Sequence, residues 1–174
     1  MNHKRGFTLI EMVISVFMIT VAVVGIVQLT TKYIQNTKYE KESYVAALLA
    51  QEGVEIIKNI RDANWVEPDA SGWKNGLTTC SSGCEIDISY NHLSPTFTAW
   101  SDPGTNLYID YNESQSRYEH YKYLASPGAN DIKTIYRRKI TIVESGADKL
   151  EITVDVYWRT NQLTVKEDIY NWMQ

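Results

Sequence analysis

Glu11 is the one ionisable side chain in the apolar run Phe7 to Leu29, which follows the charged leader Met1-Asn2-His3-Lys4-Arg5 and Gly6. A carboxylate in a bilayer core costs about 2.5–3.5 kcal/mol on insertion scales, so its presence calls for a partner. Cutting the chain between Gly6 and Phe7 would create an ammonium one helical turn from Glu11, and an ion pair is the chemistry that this spacing supports. A second constellation is Cys80-Ser81-Ser82-Gly83-Cys84. In an oxidising compartment two cysteines so close favour a disulfide, worth about 2 kcal/mol for so short a loop, and in a reducing one they remain thiols. They do not make a zinc site, because His92 is the nearest third ligand and no metal-ligand spacing is present. Asp102, Asn106, Asp110, Asn112 and Glu113 are rich in oxygen, but they match no EF-hand spacing and read as Asx turns. His3, His92 and His120 stand without a nucleophile motif of the Gly-x-Ser-x-Gly kind. No catalytic residue, metal set or cofactor is expected, and the chain reads as something other than an enzyme.

Lys4-Arg5-Gly6-Phe7-Thr8-Leu9-Ile10-Glu11 resembles the leader of type IV prepilins and of the pseudopilins of type II secretion and DNA uptake. The resemblance covers about the first 30 residues. It implies processing at Gly6 and Phe7, where a prepilin peptidase cuts after the glycine and methylates the new terminus. It also implies an assembly role for Glu11, which pairs with the terminal amine of a neighbouring subunit. The partners implied are other pilin or pseudopilin subunits, the peptidase, an inner-membrane assembly platform and the lipid bilayer. The stretch Tyr44 to Asp62 more loosely resembles PilV-like minor pilins and minor pseudopilins. A secretory signal fits poorly, since its apolar stretch is shorter and ends in small residues. An uncleaved single-pass anchor carrying an extracytoplasmic binding or sensor domain is the alternative, because hydrophobicity alone does not separate it from a pilin.

The elements that hold these residues begin with a helix. Phe7 to Leu29 spans roughly 34 Å as a helix, enough for a bilayer core of about 30 Å. No proline occurs from Phe7 to Arg61, so a single helix of about 55 residues is expected. Gly25 is the one residue in its apolar half that would loosen it. In the second half Val45, Leu48, Leu49, Ile56, Ile57 and Ile60 mark a core-facing stripe, and Gln51, Glu55, Lys58 and Asp62 mark the opposite face. Ala46, Ala47, Ala50 and Gly53 permit close approach of another element, either the chain's own sheet or a partner.

Residues 63–131 hold all four prolines and both cysteines, and read as turn-rich structure with short strands at Glu85–Tyr90 and Leu107–Asp110. Beyond them Leu150, Ile152, Val154, Val156 and Trp158 alternate with polar residues, the period of a half-buried strand. Ile135–Val143 precedes it and Leu163–Ile169 follows through a turn at Thr160, Asn161 and Gln162, giving an antiparallel meander. Arg137, Arg138 and Lys139 lie within the first of these strands and are expected on a solvated sheet surface. Without Lys4 and Arg5 the chain keeps 15 basic residues against 21 acidic, which argues against nucleic acid as a partner.

The expected fold class is therefore α+β and pilin-like, a long N-terminal helix with a membrane half and an amphipathic half, the latter packed against a C-terminal antiparallel β-meander. Its expected divisions are a leader at 1–6, a membrane and filament-core half-helix at 7–29, an amphipathic half at 30–63 and a head at 64–174. Within the head, the turn-rich part runs to 131 and the meander covers 132–174. The function implied is that of a structural pilus or pseudopilus subunit, a minor component that initiates or tips the filament. Its location would be the inner membrane before assembly, head extracytoplasmic, and then an extracellular or periplasmic filament. A fragment beginning near Thr31 should be soluble.

Overall fold

The structure is a computed structural model that describes residues 8–66, 72–87, 96–112, 117–123 and 127–172. Helix α1 runs from Leu9 to Val66. The chain divides into two units, residues 1–42 and 43–174, and α1 contributes to both.

In the first unit every described side chain from Thr8 to Lys41 is exposed, and the helix is long and apolar enough there to cross a membrane. Lipid offers backbone groups no hydrogen bonds, and only a helix or a closed barrel satisfies them internally. The hydroxyls follow the same rule. Ser15, Thr20, Thr30, Thr31 and Thr37 each donate to the carbonyl four residues earlier, at 2.7–3.0 Å, so no polar group among them requires water. The helix passes Gly25 without a break.

In the second unit α1 buries Ala46, Leu49, Ala50, Gly53, Val54, Ile56, Ile57 and Ile60. Their three- and four-residue spacing is that of a single helical face. The stripe differs from the one expected at two positions: Leu48 is 47 % exposed and Val45 is only partly buried. The buried face includes small residues as well as large ones, and a glycine meets the sheet directly. A Cβ built on Gly53 would lie 3.0 Å from Val154 Cγ1 and 3.2 Å from Arg138 Cδ. Gly53 therefore serves the chain's own sheet, Ala46 and Ala50 are buried in the head's core, and Ala47 is exposed. Gly53→Val should cost about 3 kcal/mol, since overpacking a fitted core costs about 1–3 kcal/mol and a branched side chain has no room to turn. A thermal melt showing wild-type stability would contradict this close approach.

That sheet has five strands: β1 (Cys84–Asp87), β2 (Thr96–Ala99), β6 (Tyr136–Glu144), β7 (Lys149–Trp158) and β8 (Asn161–Tyr170), in the order β2-β1-β6-β7-β8 and antiparallel throughout. A second, three-stranded sheet has the order β4-β3-β5, from β3 (Tyr108–Asn112), β4 (Arg117–Lys122) and β5 (Ile132–Lys133). The meander is the element that the sequence shows most clearly. Leu150, Ile152, Val154, Val156 and Trp158 are all buried, and each alternate residue of β7 is partly exposed. Two details differ. The β6 strand begins at Tyr136, Ile135 being exposed, and the β7–β8 turn is the pair Arg159–Thr160, with Asn161 and Gln162 already in register opposite Trp158 and Tyr157. Arg159 takes a positive φ of 51°, which a two-residue hairpin demands of its turn.

The strand expected at Glu85–Tyr90 is present as β1 from Cys84, and residues 88–95 lie outside the described ones. The one expected at Leu107–Asp110 is β3, with Leu107 buried just before it. Leu107 ties the two sheets together. Its N–H donates to the Tyr136 carbonyl at 2.9 Å, and its carbonyl accepts from the Thr134 N–H at 2.9 Å and hydroxyl at 2.7 Å.

Candidate functional site

Glu11 lies in the first turn of α1 with its side chain exposed. The residue that fixes this turn is Thr8, which was not singled out from the sequence. Its carbonyl accepts the Met12 N–H at 3.2 Å, and its hydroxyl accepts the Glu11 N–H at 3.3 Å. A helix start leaves four N–H groups without partners, and an N-cap hydroxyl satisfies one of them. Thr8-Leu9-Ile10-Glu11 has the Thr-x-x-Glu spacing of a capping box, so the signal was present in the sequence. Only the hydroxyl half of the box is made: among the described residues nothing bonds the Glu11 carboxylate. The arrangement is a carboxylate held at the start of an apolar helix, with no counter-charge among the described residues and with its own backbone N–H already satisfied. Gly6 and Phe7, the expected processing residues, lie outside the described residues.

Residues 1–27 match the family described as the prokaryotic N-terminal methylation motif. The chain carries the type IV pilin and pseudopilin signature. This motif belongs to structural subunits and implies processing by a prepilin peptidase, assembly with other pilin subunits and anchoring in a membrane. The α+β arrangement, one long N-terminal helix followed by antiparallel sheets, is pilin-like as well. No curated protein and no solved structure matches the chain.

The head of this pilin-like chain contains a buried polar cluster. Arg138, expected at the surface, is 2 % exposed on the helix-facing side of β6. Its Nη1 donates to the Leu49 carbonyl at 3.1 Å and lies 3.2 Å from Glu52 Oε2, while Nε has no partner among the described groups. Gly53 provides the space, its missing side chain admitting the arginine stem. The Arg138 carbonyl in turn accepts the Tyr123 hydroxyl at 2.7 Å. Burial pushes the Tyr123 phenol up to about 12, with the nearby Glu85 adding to the shift and Arg138 opposing it, so Tyr123 remains a proton donor at any physiological pH. Glu85 is buried too, and accepts the Thr105 N–H. Arg138 thus links the helix, the large sheet and the segment that leaves β4.

Cys80 and Cys84 are joined in a disulfide, and both are buried. Lys58, expected on the solvated helix face, is instead partly buried and paired with Glu167 of β8 at 2.7 Å and with Glu55 at 3.5 Å. The hydrogen bond to Glu167 raises its pKa above the ordinary lysine value, against a smaller opposing effect of burial. Among the described residues no three His, Cys, Asp or Glu gather as a metal site. Of the oxygen-rich stretch, Asn106 is engaged by the Thr134 carbonyl, and Glu113 lies outside the described residues together with His92. His120 is exposed on β4.

Proposed function

We propose that this chain is a minor subunit of a type IV pilus or of a type II secretion-like pseudopilus, one that initiates or tips the filament. The leader 1–6 is removed by prepilin peptidase between Gly6 and Phe7, and Phe7 is N-methylated. Residues 7–29 then serve the membrane and the filament core, 30–63 carry the amphipathic half-helix, and 64–174 form the head. Glu11 pairs with the N-terminal ammonium of a neighbouring subunit. Before assembly the chain spans the inner membrane with its head extracytoplasmic, where the Cys80–Cys84 disulfide is at home. It is then handed by the assembly platform to a filament.

The observation that carries this reading is the methylation motif at residues 1–27 on a helix whose exposed apolar half holds Glu11, a carboxylate without a partner among the described residues. The minor assignment draws its support from the Tyr44 to Asp62 resemblance. The N-terminal mass of the protein recovered from membranes with an active prepilin peptidase tests the reading. A chain beginning at methylated Phe7 is expected, and Gly6→Leu should abolish the cut while leaving insertion intact. A wild-type chain that retains Met1 through Gly6 would instead make this an uncleaved anchor.

A further inference from the structure

Lys32, Lys38 and Lys41 follow the apolar half of α1, and all three are exposed. Among the described residues none of them has an ion-pair or hydrogen-bond partner. Membrane chains concentrate lysine and arginine on the cytoplasmic flank of a span, so three lysines on the opposite flank call for a cause. The rings of Tyr33 and Tyr39 stand exposed among them, and tyrosine is a residue that settles at headgroup level.

We propose that Lys32 and Lys38 bind the phosphates of anionic phospholipids in the extracytoplasmic leaflet, with Tyr33 and Tyr39 seated among the headgroups. The proposal rests on the processing and orientation given above, and adds what holds the chain once Lys4 and Arg5 leave with the leader. The placement of these side chains favours headgroups over a protein. At about 100° per residue they point to every side of the helix, Lys41 coming about two and a half turns after Lys32 and so opposite to it. A headgroup layer surrounds a helix, whereas a partner protein covers one side of it. Helical side chains also lean towards the N-terminus, which here means back towards the membrane. Height then separates the three lysines. Headgroups occupy roughly 5–7 Å outside the hydrocarbon core. Lys32 stands about 4.5 Å beyond Leu29 along the helix, Lys38 about 13 Å and Lys41 about 18 Å. Lys32 therefore lies within the layer, Lys38 leans back to its edge, and Lys41 stands clear of it, flanked by Glu40 and Glu42.

The experiment places the processed chain, its N-terminal mass verified, in phosphatidylcholine vesicles with and without phosphatidylglycerol. Spin-labelled forms of the two lipids report which of them associates with the helix, and resistance to alkaline extraction reports insertion. The wild type should favour phosphatidylglycerol about fivefold at low salt, the factor that one lysine near an anionic surface represents, and less as salt rises. Lys32→Gln should lose most of that preference, Lys38→Gln a smaller part, and Lys41→Gln should match wild type. An inserted wild type with no preference between the lipids would overturn the proposal. Equal losses in the three variants would overturn it too, since they would mark a diffuse attraction and not binding at one depth. A wild type that does not insert even in phosphatidylcholine would overturn the membrane reading and this proposal with it, an outcome distinguishable from an inserted chain that ignores headgroup charge.

Discussion

Aspartate in place of Ile57 is expected to unfold the head outright. Ile57 is fully buried and belongs to the apolar core of the head. An unpaired buried carboxylate costs several kcal/mol, comparable to the whole stability of a domain of this size. The choice of position matters. Leu49→Asp would be an ambiguous test, because the Arg138 guanidinium already bonds the Leu49 carbonyl and could receive the new charge. Lys58→Asp is the proper comparison: it sits one residue further along the helix, brings a carboxylate towards Glu167 and Glu55, and should lose only about 1 kcal/mol, the range of a partly exposed ion pair. Thermal melts of a fragment beginning at Thr31 give the ordering, with no cooperative transition for Ile57→Asp and a modestly lowered one for Lys58→Asp. Equal melting of the two would mean that α1 does not pack on the five-stranded sheet.

The reason Ile57 was legible in the sequence and Leu48 was misplaced is instructive about helices that lie close to a sheet. A stripe drawn through large apolar residues assumes that size marks the buried face. Here the small residues Ala46, Ala50 and Gly53 are buried, Gly53 directly against the sheet, and Leu48, one step around the helix, is left outside. The meander did not suffer this ambiguity, because alternation along β7 assigns every residue to one side or the other. The short strands β2, β4 and β5 carry no such signal. They are two to six residues long and lie in a segment whose prolines and glycines advertise turns. The pairing of β5 is set by β3, a neighbour distant in the chain, as Leu107 is held by Tyr136. At the N-terminus the reverse held. Thr8 and Glu11 interact across three residues, so the local spacing already contained the cap. Arg138 was the least legible residue of all: in a run of three basic residues it reads as surface. What buries it is a helix carbonyl 89 positions earlier and a glycine beside it.

That burial leads to the second large effect, Glu52→Ala. The side chain of Arg138 is 2 % exposed and that of Glu52 is 44 % exposed, so the pair is asymmetric: among the described residues, removing the glutamate leaves a buried cation with a single carbonyl, whereas removing the arginine leaves an anion that water can reach. Breaking a buried pair from one side costs about 3–5 kcal/mol, and the solvent access of Glu52 places this case at the lower end, roughly 3 kcal/mol. Arg138→Met, which keeps the stem length beside Gly53 and discards the charge, should cost much less, since an apolar side chain of similar size needs neither Glu52 nor the Leu49 carbonyl. The Tyr123 hydroxyl keeps its acceptor in that variant, because it bonds the backbone carbonyl of residue 138. The decisive comparison is the double variant Glu52→Ala with Arg138→Met: it should be more stable than Glu52→Ala alone, by about 2 kcal/mol in urea melts of the fragment beginning at Thr31. Additive losses in the double variant would show that the guanidinium is not held by Glu52, and that the link between helix and sheet at this point rests on the packing of Gly53 against Val154.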